Sequence, residues 1–263
     1  MRQPLVVGNW KLNGSLAENK IRIQAIVDAL ENLVHAEVGL CLPYVYLFQA
    51  QQLLANTDLL WGSQNVSQFV QGAYTACVSA EMVAEFGCQL AIVGHSERRH
   101  YSAENSAKAV MRIKRAVEAG ITPIYCIGET QSEHAVGDEK QVIEAQLLAL
   151  LALDKASLEK VKSFGLVIAY EPVWAIGTGQ AATPALAQNM HAFIRGLLAK
   201  HDVVFAEKTR IIYGGSVTPD NAKALFTMPD IDGGLVGRAS LHAASFATIC
   251  AAVDGQQDAS THE

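Results

Sequence analysis

The sequence lacks the features that mark several classes of protein. No run of about 18 apolar residues is present, so no membrane-spanning helix is predicted. The N-terminal apolar run is too short for a signal peptide. The five cysteines are odd in number, scattered and free of Cys-x-x-Cys spacing, which argues against a disulfide framework or a zinc site. We therefore predict a soluble, cytoplasmic protein that does not associate with a membrane.

Positive charge is also scarce. The 263 residues carry a net charge of −6 and contain no basic run, which argues against a nucleic-acid-binding surface. If the ligand is an anion, its positive surroundings must be built locally, from one lysine or from the N-termini of helices.

Eight short, β-branched runs recur along the chain, and helical patterns separate them. The runs are almost continuously apolar, which is typical of strands buried on both faces of a parallel sheet. They are PLVVGNWK, VGLCLP, LLWGSQNV, LAIVGHSE, TPIYCIGE, GLVIAYEP, TRIIYGGS and GGLVGRAS. Together they predict a closed, parallel (β/α)8 barrel that forms a single domain over residues 1–253, followed by a polar, flexible tail at 254–263. An open, doubly wound sheet is the alternative that periodicity leaves open.

Polar residues just past the strands carry the functional prediction, because the carboxyl ends of barrel strands face one shared pocket. These residues are Asn9, Lys11, Gln64, Asn65, His95, Glu97, Glu129, Glu171, Ser216 and Gly237. Taken singly, each has an ordinary explanation, such as a solvated lysine or a histidine that caps a helix. Taken together, a carboxylate, an imidazole, a lysine and several backbone amides beside glycines suit acid–base chemistry on a small anion.

Each group in this set has a separate physical task. The segment 214–216 and Gly237 follow the seventh and eighth strands, where barrels often bind phosphate through backbone N–H groups. Lys11 supplies a full positive charge. If His95 opens a helix, the positive end of the helix dipole disfavours the imidazolium form and favours a neutral donor. Glu171, at the end of a buried strand, is expected to gain basicity when water leaves.

The stretch AYEPVWAIGTGQAATP, residues 169–184, has two interpretations. Gly177, Gly179 and Ala182 fit the dinucleotide fingerprint G-x-G-x-x-G/A, but the first glycine lies six residues beyond Glu171, and a fingerprint turn follows its strand at once. The alternative is a lid that closes over the carboxylate of Glu171. The spacing favours the lid.

The sequence resembles the triosephosphate isomerase family over nearly its whole length, from about Leu5 to Val253. The motifs that carry the resemblance are NWKLNG, IVGHSERR, CIGE, YEPVWAIGTG, YGGSV and GLVGRASL, in the order that the family shows. The resemblance implies a TIM-barrel enzyme of glycolysis and gluconeogenesis. It implies the interconversion of D-glyceraldehyde 3-phosphate and dihydroxyacetone phosphate by proton transfer through an enediolate, without a metal or organic cofactor.

The resemblance also implies roles for individual residues. Glu171 would be the base, His95 a neutral electrophile, and Lys11 would orient the substrate and stabilise the enediolate. The implied catalytic residues are Glu171, His95, Lys11, Asn9 and Glu97. The implied substrate-binding residues are Asn9, Lys11, Gly177, Ser216, Gly237 and Arg238. The lid would run from Pro172 to Ala182 and exclude water, which protects the enediolate from losing phosphate.

Two places depart from the family pattern. Gly237 and Arg238 stand where the family usually has Gly-Gly. If Arg238 needed a positive φ, it would cost ~1 kcal/mol of strain, so we expect an ordinary helical φ and a side chain in solvent. Ala76 and Cys77 replace the usual Gly-Glu in the loop from Gln64 to Ser79. We still expect a homodimer through this loop, with Thr75 near the partner's active site.

Two other functions remain open at this point. One is a lyase or synthase built on a phosphate-binding barrel, although no second cluster of general acids is present. The other is a non-catalytic sensor of a phosphorylated metabolite. Intact Glu171, His95 and Lys11 argue against a sensor, because binding alone does not need a base at a strand end.

Overall fold

The computed structural model describes residues 2–175 and 182–254, and it places eight strands in a closed barrel. The strands are all parallel and neighbour one another in chain order. They are β1 (Leu5–Asn9), β2 (Glu37–Leu42), β3 (Leu60–Ser63), β4 (Leu90–Val93), β5 (Thr122–Ile127), β6 (Val167–Tyr170), β7 (Arg210–Tyr213) and β8 (Gly233–Val236). Pairing of β8 with β1 closes the barrel. The prediction of a closed parallel (β/α)8 barrel is confirmed, and the open sheet is excluded.

Helices surround the barrel. The α-helices of the described residues are α1 (Leu16–Ala29), α2 (Leu47–Leu54), α3 (Ala80–Ala84), α4 (Ser96–Tyr101), α5 (Ser106–Glu118), α6 (Gln131–Ala135), α7 (Glu139–Leu151), α8 (Lys155–Phe164), α9 (Pro184–His201), α10 (Val203–Lys208), α11 (Pro219–Phe226) and α12 (Ala243–Asp254). Short 3₁₀ turns lie at Tyr44–Tyr46, Val173–Ala175 and Arg238–Leu241. No helix of the described residues is long and apolar enough to cross a bilayer.

The strand sequences are apolar throughout because both of their faces are buried. In β1, Leu5 and Val7 belong to the cluster that fills the barrel, whereas Val6 packs in the layer between strands and helices. Successive side chains of a strand point to opposite faces, so this alternation follows from strand geometry. In the other strands, apolar side chains such as Ile92 and Ile124 fill the same interior. The barrel is therefore a packed core, and space for a ligand is left only at its ends.

Asp254 is the last residue of α12. The Asp254 carboxylate accepts hydrogen bonds from the backbone N–H groups of Val34, His35 and Ala36, at 3.2, 2.6 and 2.7 Å. These bonds attach the end of α12 to the loop before β2. Asp254 therefore belongs to the barrel and not to the predicted tail, while residues 255–263 lie outside the described part of the chain.

Candidate active site

A cavity of about 830 Å³ opens at the carboxyl end of the barrel. The site residues that sequence analysis predicted and that line this cavity are Asn9, Lys11, His95, Glu171, Ser216, Gly237 and Arg238. Glu97 reaches the site through an ion pair with Lys11, at 2.7 Å. Gly177 and most of the predicted lid lie outside the described residues. The fold thus brings residues from five different strand ends to one place.

The innermost pair of side chains is Glu171 and His95. Glu171 directly follows β6 and is 2% exposed. Its Oε1 lies 2.9 Å from Nε2 of His95, and its Oε2 accepts a hydrogen bond from the N–H of Ser96 at 2.8 Å. The chain turns next to this carboxylate at Gly214, where a Cβ atom would lie 2.9 Å from Cγ of Glu171. A larger residue at 214 would therefore press on the carboxylate.

The protonation of His95 follows from its position as the N-cap of α4. Nδ1 of His95 accepts a hydrogen bond from the backbone N–H of Glu97, at 3.2 Å. In a neutral imidazole the other nitrogen then carries the proton. Nε2–H is therefore the donor that faces Glu171.

The contact between Glu171 and His95 sets the pKa of both groups. Burial favours the neutral imidazole, but the adjacent carboxylate outweighs burial and raises the pKa of His95. Burial likewise favours a protonated Glu171, but the His95 ring and the Ser96 N–H outweigh it and lower the pKa of Glu171. A neutral His95 stays a prediction, because the facing carboxylate, which the sequence could not reveal, acts against the effect expected from the helix start. A gain in basicity of Glu171 stays a prediction for the state in which it leaves these donors.

Lys11 lines the same cavity as this pair. Its Nζ contacts Oε1 of Glu97 at 2.7 Å, and its backbone N–H donates to Oδ1 of Asn9 at 3.1 Å. Lys11 adopts a φ of 53°, in the left-handed region. The lysine is thus fixed at both its backbone and its charged end.

A further wall of the cavity follows β7 and β8, and it adjoins Lys11, since a Cβ atom at Gly237 would lie 3.6 Å from Cε of Lys11. The hydroxyl of Ser216 donates to the carbonyl of Ala175 at 2.9 Å, and the side chain of Asn221 donates to the carbonyl of Ser216 at 3.0 Å. Gly237 precedes the 3₁₀ turn 238–241, and its carbonyl accepts from both the N–H and the hydroxyl of Ser240, at 2.9 and 2.7 Å. Ser216 and Gly237 are therefore held by their own loops at the position where barrels commonly bind phosphate.

Comparison with known proteins identifies the family of this chain. A family model described as Triosephosphate isomerase matches residues 4–253. The chain belongs to the triosephosphate isomerase family. The prediction from the sequence motifs is thereby confirmed.

Its relatives in this family align over almost their whole length. The triosephosphate isomerase of Nitrosomonas europaea is 49% identical over 251 residues, which cover 95% of this chain and 98% of the relative. That of Cupriavidus necator is 48% identical over 249 residues, or 95% and 99%. That of Coxiella burnetii is 46% identical over 250 residues, or 94% and 96%. The likeness to triosephosphate isomerases therefore extends across the entire barrel.

Arg238 departs from the triosephosphate isomerase pattern without straining the backbone. It is the first residue of a 3₁₀ turn, and it is not among the described non-glycine residues with positive φ. Its side chain is exposed at the rim of the cavity. The hypothesis of an ordinary φ is confirmed.

The second departure from the family pattern does carry strain. Ala76 has a φ of 71°, so an alanine occupies the left-handed conformation that glycine adopts freely. Cys77, beside it, is exposed. Within the same loop, the rings of Phe69 and Tyr74 stack, with their centroids 3.7 Å apart.

Sequence reasoning found Glu129 only as a strand-end carboxylate and assigned it no task. It is fully buried, and its Oε1 accepts hydrogen bonds from the hydroxyl of Tyr170 at 3.1 Å and from the indole N–H of Trp174 at 2.7 Å. Burial raises its pKa. Glu129 therefore anchors the first residues after Glu171, and its place after an apolar run was the available signal.

Glu104 was missed altogether. This buried carboxylate accepts a hydrogen bond from the N–H of Gly94 at 3.1 Å, next to His95, and contacts Arg98 at 2.8 Å and Arg112 at 3.1 Å. No local pattern marks such a residue, because its partners come from separate elements.

Proposed function

We propose that this protein interconverts D-glyceraldehyde 3-phosphate and dihydroxyacetone phosphate by proton transfer through an enediolate, as a step of glycolysis and gluconeogenesis. Membership of the triosephosphate isomerase family supports this function. The observation that carries it is the contact of 2.9 Å between a buried carboxylate, Glu171, and a hydrogen-bond donor, His95, in the wall of the cavity. A base and an adjacent donor are what an enolisation needs.

In this proposal, Glu171 moves a proton between adjacent carbons of the substrate. To do so, it exchanges its bonds to His95 and Ser96 for contact with the substrate. Loss of these donors and of water raises its pKa, which makes it a stronger base. The Nε2–H of His95 is then free to donate to the substrate oxygens.

The remaining site residues orient the substrate and balance its charge. Asn9 and Lys11 stabilise the negative charge of the enediolate, and Glu97 holds the ammonium group of Lys11 in place. Backbone amides bind the phosphate dianion. The residues proposed for phosphate are Gly177, Ser216, Gly237 and Arg238. No metal or organic cofactor takes part in the proposed reaction.

We also propose that the protein is a homodimer that forms through the loop from Gln64 to Ser79, with Thr75 near the partner's active site. Large apolar side chains on and beside the loop are exposed, which supports an interface here. They include Val45 at 76%, Phe48 at 58%, Val70 at 43% and Tyr74 at 43%. Sedimentation at micromolar concentration tests this proposal, and an active monomer would contradict it.

The cytoplasm is the proposed location. All five cysteine thiols are unpaired, and four of them are buried, as expected in a reducing compartment.

Turnover of D-glyceraldehyde 3-phosphate by the purified protein tests the function. We expect fast isomerisation by the wild type and a loss of about 100-fold in Glu171→Asp, because a shift of about 1 Å in a positioned base can cost that much. The exposed residue Glu144 in α7 offers a matched control, and Glu144→Asp should keep wild-type activity. Binding of a phosphorylated substrate without turnover would instead favour a metabolite sensor.

A further inference from the structure

Lys11 holds a backbone conformation that residues with side chains avoid. Its φ of 53° lies in the left-handed region, and among the described non-glycine residues only Ala76 and Ala103 also have a positive φ. Such conformations persist when surrounding contacts hold them. The contacts of Lys11 therefore show what keeps it in place.

Three side chains hold Lys11, and each acts on a different group. Its N–H donates to Oδ1 of Asn9 at 3.1 Å. Its carbonyl accepts a hydrogen bond from Nε2 of Gln64 at 2.9 Å. Its Nζ contacts Oε1 of Glu97 at 2.7 Å. Asn9 and Glu97 belong to the proposed machinery, whereas Gln64 has no role there.

Gln64 also binds the neighbouring strand. Its Nε2 donates a second hydrogen bond to the carbonyl of Cys41 in β2, at 3.1 Å. The same carbonyl accepts from the N–H of Trp10 at 3.1 Å. A primary amide nitrogen carries two N–H donors, and both are used here. Gln64 thus continues the hydrogen bonding between β1 and β2 past the end of β1, where the turn at Lys11 interrupts it.

We propose that Gln64 is a positioning residue that holds Lys11 in the left-handed conformation and so directs its ammonium group into the site. This inference rests on the proposed function, in which Lys11 orients the substrate and stabilises the enediolate. Without the bond from Gln64, the backbone of Lys11 relaxes toward an ordinary φ. The direction of its Cα–Cβ bond then changes, and the ammonium group moves away from the substrate.

The first test is Gln64→Met, which keeps the length of the side chain and removes both donors. We expect kcat/KM for D-glyceraldehyde 3-phosphate to fall about 10- to 100-fold, because small misplacements of a positioned group have effects of this size. Gln3 offers a matched control, since its Nε2 donates to the carbonyl of His35 at 3.2 Å at the other end of the barrel. Gln3→Met should stay within about twofold of the wild type.

A double-mutant cycle identifies the route by which Gln64 acts. If Gln64 acts through Lys11, then Gln64→Met should cause no further loss of kcat/KM in a Lys11→Met background. An equal loss in that background would overturn the inference. So would a Gln64→Met variant that keeps wild-type kcat/KM while its unfolding temperature falls, because Gln64 would then be purely structural.

Two further outcomes separate this inference from the proposed function. If Lys11→Met is strongly impaired and Gln64→Met is not, only the inference about Gln64 fails. If Lys11→Met keeps wild-type kcat/KM, the proposed role of Lys11 fails and the inference fails with it. Should Gln64→Met not fold, Gln64→Glu replaces it in the same cycle, because it keeps the shape of the side chain but faces two carbonyls without a donor.

Discussion

The two ends of the barrel use charged side chains in different ways. At the amino end, Arg195 makes five hydrogen bonds, to Asp230, Asp232 and the carbonyls of Ala206 and Thr209. These bonds use every N–H donor of its guanidinium group. At the carboxyl end, Glu171 is held by His95 and by the N–H of Ser96, and the proposed reaction requires it to release both donors. In this proposal the amino end serves stability, and the carboxyl end exchanges partners.

Backbone strain follows the same division. The three described non-glycine residues with positive φ, Lys11, Ala76 and Ala103, all lie in segments that follow the carboxyl ends of strands β1, β3 and β4. Strained conformations cluster at functional sites, because only there is their cost compensated. We therefore expect substitutions at the carboxyl end to change activity and substitutions at the amino end to change stability.

The largest effect is expected from His95→Gln. Loss of a positioned acid or base typically lowers the rate 10²- to 10⁴-fold, so we expect kcat to fall by about this factor. The unfolding free energy should change by less than the activation free energy does, because Glu171 keeps its hydrogen bond from the N–H of Ser96. Steady-state kinetics and chemical denaturation of the same preparation check both parts. A variant that loses stability but keeps its kcat would show that the carboxyl end does not serve activity in this way.

The matching substitution at the amino end is Arg195→Met. It leaves the partly buried carboxylates of Asp230 and Asp232 without Arg195, and the loss of hydrogen bonds between charged groups costs about 3 kcal/mol. We expect the unfolding free energy to fall by this amount, measured by urea denaturation. At temperatures where the variant is folded, its kcat/KM should stay within about twofold of the wild type. A large loss of kcat/KM in the folded variant would contradict this division of tasks.

The buried residue His191 is expected to make the stability of the protein depend on pH. It is fully buried, its Nδ1 lies 3.2 Å from the carbonyl of Asp230, and burial lowers its pKa to about 4. The folded protein therefore favours neutral His191, and this contribution to stability is complete above the unfolded pKa of about 6.5. It is lost as pH falls from about 6.5 through about 4, and it amounts to about 3 kcal/mol.

Denaturation of His191→Gln over this pH range, beside the exposed control His201→Gln, checks the prediction. His191→Gln should lose part of the pH dependence that the wild type and the control share. If all three proteins lose stability equally between pH 6.5 and 4, His191 is not the group responsible.

The smallest effect is expected from Ala76→Gly. Glycine removes the strain of a positive φ but is more flexible when unfolded, so the net gain in stability should be below about 1 kcal/mol. The exposed helical position Ala145 is the control, and Ala145→Gly should destabilise by about 0.5–1 kcal/mol. Equal destabilisation by both would show that Ala76 is not strained. Both variants need the same protein concentration, because the proposed dimer contributes to stability.

The fold and the candidate site could be predicted from sequence for one common reason. Apolar runs define the strands, and barrel topology then gathers whatever follows those strands, so Lys11, His95 and Glu171 could be placed together without any knowledge of distances. Polar partners of these residues could not be found in this way. Gln64 donates to carbonyls 53 and 23 residues away, and Glu104 contacts three separate segments, and no periodicity encodes such contacts.

The pKa values of the site residues could not be predicted from the sequence either. The raised pKa of His95 depends on a carboxylate 76 residues away in the chain, at 2.9 Å in space. In the network at the amino end, the partners are even further apart in sequence, since the hydrogen bond from Arg2 to Asp232 joins residues 230 positions apart. Properties that arise from one side chain and its own segment could be predicted, whereas those that arise from a pair required the structure.

In the proposed reaction, a carboxylate base at the carboxyl end of the barrel moves a proton between two carbons of the substrate. Isomerisation of D-glyceraldehyde 3-phosphate in D₂O, followed by proton NMR of the product, tests it most directly. A carboxylate that holds the proton exchanges it with solvent. We therefore expect solvent deuterium to enter the dihydroxyacetone phosphate at the carbon that receives the proton. Product formed at full speed with no deuterium at that carbon would contradict proton transfer through a base that exchanges with solvent.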